Sequence, residues 1–401
     1  MKILMFYNSD VCQRLRQIGA LFSIKLIAAV IGFLTIALIA KRLGVAHRGA
    51  IVSVTANAGF WLLFYFSVQQ VLLIPRGESK RLIETIWGLS LIVLIIQLLV
   101  AGLIDFFENK SGFNILTALL GYQLFYYSLS YNISQLSGKV FQYYVAVVIG
   151  KSAQLIFVAI CFKTDIKTFL WLYCAVGWLG IGYDCVSNPS CSLRCINLRS
   201  VNFQIIRWGL EFFLSSVMLF ITSDYINIIT AQKFDHTILG VFDIYYQIIS
   251  FFILPIQGFS VYLSSILLQG QMNLRSVLTL AYQYGVPFLI FGSVLIWLAC
   301  FYLNDIFSVP IPENFVRFRL IALFCFSSVA SVIGPIIVSS GNLRFTTISN
   351  IMSALVGLTA LQAIEGHYIF FDARLIFVSV LCGSQMVSIV LICKRKNKTP
   401  C

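Results

Sequence analysis

Apolar residues in this chain come in long unbroken runs, not in the alternation of a strand or the one-sided stripe of a surface helix. The first run sets the pattern. A polar, basic lead (Gln13, Arg14, Arg16, Gln17) opens into apolar sequence from Ile18 to Ala40. The run stops at Lys41-Arg42-Leu43-Gly44, followed by His47-Arg48-Gly49. About twenty consecutive apolar residues suffice to cross a bilayer as a helix, so this run is expected to be a span. One charge, Lys25, lies inside it. An ionisable side chain within a span is costly, which makes Lys25 a functional-site hypothesis.

The same design repeats. Twelve spans are expected near 18–40, 50–74, 85–107, 114–134, 142–162, 168–187, 208–231, 237–262, 276–302, 316–340, 346–364 and 374–393. The fold class is therefore all-α, a polytopic membrane protein. Residues 1–17 read as a short interfacial segment. The longest connection, 188–207, holds Asn188-Pro189 and Arg194, Arg199 and Arg207, and it divides the spans six and six. The expected organisation is an N-terminal lobe of residues 1–190, a linker 191–207 and a C-terminal lobe 208–401. A faint internal echo links the halves. Leu43-Gly44-Val45 follows span one, and Leu239-Gly240-Val241 follows span seven. Internal repeats of this kind are common in secondary transporters.

Composition agrees. Only 11% of the 401 residues are charged, against about 25% in soluble proteins, and the mean hydropathy is +0.92. The net charge of +13 comes from basic residues in short loops, which suits anionic headgroups better than nucleic acid. Of the 28 lysines and arginines, sixteen fall in segments on the side of the N-terminus, ten on the other, and Lys25 and Lys151 within spans. This bias places both termini in the cytoplasm. The eleven cysteines include no CxxC pair, and the three histidines (His47, His236, His367) are dispersed. No metal or cofactor is expected.

The stretch Lys-Leu-Ile-Ala…Ile-Ala-Lys-Arg-Leu-Gly-Val-Ala-His-Arg-Gly at 25–49 resembles the opening of Wzx-type polysaccharide flippases, of the multidrug/oligosaccharidyl-lipid/polysaccharide exporter superfamily. Leu-Gly-Val-Phe-Asp-Ile-Tyr-Tyr-Gln-Ile at 239–248 resembles the matching stretch of that family's second half. The resemblance implies two six-helix lobes around a central cavity that opens alternately to each side of a bacterial inner membrane. It implies an undecaprenyl-pyrophosphate-linked oligosaccharide as cargo, an O-antigen or capsule precursor, with polysaccharide assembly proteins as partners. It implies transport without covalent chemistry. An ion-coupled small-molecule exporter of the same superfamily is the alternative. An O-antigen polymerase would carry a large outer loop, and an acyltransferase a His/Asp site.

Several side chains are candidates for the work. Lys25 and Lys151 are expected to neutralise an anionic cargo, although Lys25 is also placed to snorkel. Gly150-Lys151-Ser152 is no phosphate loop, since Val145 stands where the earlier glycine is required. Arg42 and Arg48 lie at the outer mouth and join the substrate-binding candidates. Arg207 and Glu211, four apart on one helix face, read as a structural ion pair. Asp184 reads as interfacial. Asp224 and Asp243 fall at comparable depth, where two neighbouring carboxylates would suit ion coupling. Tyrosines at 122, 126, 127, 131, 143, 144, 245 and 246 read mainly as packing, with sugar stacking as the functional alternative. Gly177, Gly180 and Gly182 suit close helix approach. Pro255, Pro287 and Pro335 are candidate hinges.

Overall fold

The computed structural model describes residues 23–69, 79–108, 112–137, 140–161, 164–187, 203–268, 272–340, 343–363 and 369–396. The expected interfacial segment 1–17 and most of the expected linker 191–207 lie outside the described residues.

Each expected span corresponds to a long helix: α1 (Ser23–Arg42), α2 (Val45–Gln69), α3 (Ser79–Phe107), α4 (Phe113–Ser137), α5 (Val140–Ile160), α6 (Ile166–Ser187), α7 (Phe203–Lys233), α8 (His236–Leu268) and α9 (Leu274–Ala299). A 3-10 turn at Cys300–Tyr302 and the five-residue α10 (Leu303–Phe307) follow α9, and then come α11 (Asn314–Ser339), α12 (Leu343–Ala363) and α13 (Ile369–Lys396). Nine helices among the described residues are long and apolar enough to cross a membrane. The helix α7 starts five residues before the expected span, and α8 ends six residues after it. Pro255, Pro287 and Pro335 lie inside continuous helices.

Burial follows the rule of a bilayer. On α3, Ile92, Ile95, Ile96, Leu99, Val100 and Leu103 form one exposed apolar face. Leu99 is 65% exposed, whereas Gln97 on the same helix is 4% exposed. Gln97 donates to the carbonyl of Trp61 at 2.8 Å, and the Trp61 indole donates to Thr117 at 3.1 Å. Apolar side chains that face hydrocarbon lose nothing by exposure, while a polar group there must find a partner inside the protein.

The helices form two compact units, one of Met1–Leu38 with Trp61–Phe212, the other of Ile39–Phe60 with Phe213–Cys401. Residues 39–60, which precede the expected linker, thus pack with C-terminal helices. In the first unit α3 packs on α4, and α4, α5 and α6 pack on one another. Its core includes Tyr65, Trp87, Tyr122, Phe125, Tyr126, Leu129 and Ile181. The α5–α6 approach needs glycine: a Cβ on Gly180 would lie 2.6 Å from the Ala146 carbonyl oxygen and 3.0 Å from the Gly150 Cα. Gly182 meets nothing within 4 Å, so it takes no part in that contact. In the second unit α11 packs against α8, α9, α12 and α13, over a core that includes Leu263, Val277, Ile333, Ile336, Ile337 and Ile389.

Candidate functional site: buried charges in two helical units

In the first unit the two candidate lysines meet along one seam. Ala28 and Gly32 follow Lys25 by one and two turns of α1, so all three share a face. Lys151 of α5 donates from Nζ to the Ala28 carbonyl at 3.2 Å. A Cβ on Gly32 would stand 3.2 Å from that amine, so the glycine leaves room for it. Lys25 lies over the ring of Tyr144, 5.1 Å from its centroid. Tyr144 precedes Lys151 by seven residues on α5. The two contacts advance together along both helices, so α1 and α5 run in the same direction. Among the described residues, no carboxylate lies within ion-pair distance of either lysine. Their partners are a backbone dipole and an aromatic face.

Tyrosines extend this seam inward. Tyr143 and Tyr144 pack edge to face at 5.0 Å, and Tyr131 of α4 contacts them at 5.3 and 6.1 Å. Tyr127 donates from its hydroxyl to the Gly177 carbonyl at 3.2 Å. A Cβ at Gly177 would meet the amides of Gln123 and Gln154.

The sequence reading of Asp184 requires correction. Its place near the end of α6 suggests an interfacial residue, yet it is 1% exposed. Ser130 and Tyr126, both on α4, donate to its Oδ2, the tyrosine at 3.1 Å. Its Oδ1 is buried and has no hydrogen-bond partner among the described residues. The period of α4 places Tyr126 and Ser130 four apart on one face, a pairing that their polarity alone did not reveal.

The second unit treats charge differently. Arg48, 8% exposed, is not a solvated mouth residue. It forms an ion pair with Asp243 of α8 at 2.6 Å, and Gln247 donates to the other Asp243 oxygen at 3.3 Å. Beside this pair the first turns of α2 and α8 touch through glycines. A Cβ on Gly49 would lie 1.7 Å from the His236 carbonyl oxygen, and one on Gly240 would lie 2.2 Å from that of Val45. The two Leu-Gly-Val stretches therefore meet in this unit. Arg42 is exposed. Arg319 pairs with Asp372 through two nitrogens, at 2.7 and 3.0 Å. Arg374 donates to Asn227 at 2.7 Å and to the Ser223 carbonyl at 3.2 Å, over the rings of Tyr246 and Phe370.

Asp224 and Asp243 do not form a carboxylate pair. Asp243 meets α2 at Arg48, and Asp224 meets it at Gly59, where a Cβ would come within 2.5 Å of an aspartate oxygen. Eleven residues of helix separate those points, about 16 Å at 1.5 Å per residue. Asp224 accepts from Ser223 at 3.2 Å and feels the positive charge of Arg374. Arg207 and Glu211 fall in the first turns of α7, but their side chains lie outside the described residues.

No family model matches the chain, and no curated protein does. Solved structures do. The lipid II flippase MurJ, in an inward closed conformation, aligns over 92% of this chain and 87% of its own, with a TM-score of 0.65 and 18% identity. The MATE multidrug transporter DinF-BH, solved as a complex, aligns over 95% and 94%, with a TM-score of 0.65 and 14% identity. An inward-facing multidrug resistance MATE transporter of the MOP superfamily aligns over 95% and 96%, with a TM-score of 0.55 and 16% identity. The protein is an all-helical, multi-pass membrane protein with the fold of the MATE and MurJ transporters of the MOP superfamily.

Proposed function

We propose that the chain is a flippase that carries an undecaprenyl-pyrophosphate-linked oligosaccharide across a bacterial inner membrane by alternating access, with both termini cytoplasmic. One observation supports this reading above the others. Lys25 and Lys151 share one seam of the first unit, and neither has a carboxylate partner among the described residues. Half-buried cations without anionic partners among the described residues favour an anionic cargo, and a pyrophosphate supplies charge and acceptor oxygens together. The tyrosines at 131, 143 and 144 flank the seam, where aromatic faces suit sugar rings. In the second unit, exposed Arg42 is a further substrate-binding candidate, whereas Arg48 is engaged by Asp243. Asp224 is the better placed of the two aspartates for ion coupling, because Asp243 already holds an arginine.

A cavity of about 730 Å³ in the second unit favours the exporter alternative. Pro255, Phe259, Tyr282, Val286 and Met386 help line it, and its surface is almost wholly apolar. Such a space suits an apolar small molecule.

The discriminating experiment is a deletion strain, assayed for surface polysaccharide and for the sidedness of its lipid-linked repeat units. Units trapped on the cytoplasmic leaflet support translocation. Unpolymerised units on the outer leaflet would point to a polymerase. An unchanged glycan would leave the exporter reading.

A further inference from the structure

The carboxylates of the described residues divide sharply by partner. Asp105 accepts from the backbone N–H groups of Asn114 and Ile115 and from the Asn114 side chain. Asp165 and Asp235 each accept from the third N–H of a helix, in α6 and α8. Asp243 and Asp372 are paired with arginines, and Asp224 lies in the field of one. Asp184 has none of these. Two hydroxyls serve its Oδ2, nothing among the described residues serves its Oδ1, and the residue is 1% exposed.

An ionised carboxylate so placed would be unstable, because desolvation costs several kcal/mol and only charge pairing or a full set of donors offsets it. The surrounding groups among the described residues supply no such charge. From α4, Tyr126, Tyr127 and Ser130 face it; from α5, Tyr143 is near enough to feel its charge; on α6 itself, Cys185 adjoins it. All are neutral. The same core leaves the Tyr65 hydroxyl and the Trp87 indole N–H buried without hydrogen-bond partners among the described residues. A metal ion would need about six oxygen ligands. One carboxylate and two hydroxyls fall short, and the described residues contain no cluster of three or more metal-ligating acids, histidines or cysteines.

We infer that Asp184 is a proton-binding site of the first unit, held in the protonated form while α4 and α6 enclose it and ionised when their separation admits water. In this step a carboxylate oxygen gains an O–H bond from a water-borne proton and returns it to water. No other bond changes. The site thereby makes enclosure of the unit depend on proton uptake. The coupling of that uptake to cargo rests on the transporter reading above; the protonation does not.

Infrared difference spectroscopy between acid and alkaline pH tests it on the purified full-length protein in lipid vesicles. The expected result is a C=O stretch of a protonated carboxyl group that Asp184→Asn removes. Tyr126→Phe and Ser130→Ala each remove one hydrogen bond, so each should shift that band to higher frequency without abolishing it. If the asparagine variant does not fold, these two shifts carry the assignment. A band that none of the three variants alters overturns the inference. So does a change driven by sodium ions at fixed pH, which would make the site a cation site. In the export assay, Asp184→Asn should abolish the response to an imposed pH gradient. If the wild-type protein exports no glycan yet shows the Asp184 band, the proposed cargo falls and the proton site stands.

Discussion

The two units bury charge in opposite ways. In the second, Arg48 meets Asp243, Arg319 meets Asp372, and Arg374 is boxed by an amide, a carbonyl and two rings. In the first, Lys25, Lys151 and Asp184 meet, among the described residues, only neutral dipoles, hydroxyls and an aromatic face. A paired charge in an apolar medium stitches helices together, whereas an unmatched one is tolerable only if a ligand, a proton or water completes it during function. The difference fits the proposed reading, in which the lysine seam of the first unit meets cargo and the ion pairs of the second hold its helices in register.

The largest effect should come from breaking one half of a stitch. Arg48→Met leaves Asp243 charged and buried, with Gln247 as its remaining partner, and should destabilise the protein by about 3–5 kcal/mol. Pairing it with Asp243→Leu should recover most of that loss. A double-mutant cycle read by thermal unfolding in lipid checks this. If Arg48→Met unfolds at the wild-type temperature, Arg48 is free for substrate and the contrast between the units fails.

Next is the glycine crossing beside that pair. Gly49→Val places methyl groups where the His236 carbonyl already stands. Overpacking of this kind costs about 1–3 kcal/mol even where the neighbours can shift. The first turns of α2 and α8 should separate, and protease sensitivity near residues 43–49 should rise. The same substitution at Gly182, where nothing lies within 4 Å, should have little effect and serves as the control.

The lysines should invert the pattern. Lys151→Met removes a half-buried charge that has no counter-ion among the described residues, so thermal stability should hold or rise. Export should nevertheless fall about tenfold or more, because a charge-assisted contact to a phosphate is worth about 1.5–3 kcal/mol. Lys25→Gln should act likewise, to a lesser degree, since Lys25 is the less enclosed of the two. Normal export at matched protein levels would remove the seam from the cargo path. Loss of stability in step with Arg48→Met would make the lysines structural as well.

The fold was legible because a bilayer imposes long apolar runs, and each expected span corresponds to a helix. The lysines were legible for the same reason: a charge stands out in apolar sequence. Partners were not. Nothing in the residues near 48 shows that an aspartate 195 positions later will meet Arg48. Equal depth made Asp224 and Asp243 look adjacent, but depth fixes only one coordinate, and α2 holds them about three turns apart. Asp184 reads as interfacial from the sequence because position along a span says nothing about which way a side chain faces. The hydroxyls of Tyr126 and Ser130, one turn apart on α4, were the available signal.

The smallest effect sharpens the comparison within a single helix, because α6 carries an aspartate at each end. Asp165 is solvent-exposed and caps the first turn by accepting from the Thr168 N–H at 3.0 Å. That hydrogen bond holds its carboxyl below the ordinary value, and the positive end of the helix dipole acts in the same direction. A depressed value means that the ionised form stabilises the fold. The contribution is complete above the unfolded carboxylate value of about 3.9 and is lost as the pH falls through the lower folded value. Asp165→Ala should therefore lower the unfolding temperature slightly at neutral pH, and the two proteins should converge on acidification. Asp184→Asn should show the opposite dependence: on the inference above the wild-type carboxyl is protonated in the fold and ionised in the unfolded chain, so the wild-type protein gains stability over the asparagine variant as the pH falls towards about 3.9. If the two variants track each other across the same acid range, Asp184 is an ordinary solvated carboxylate, and the contrast between the units loses its strongest member.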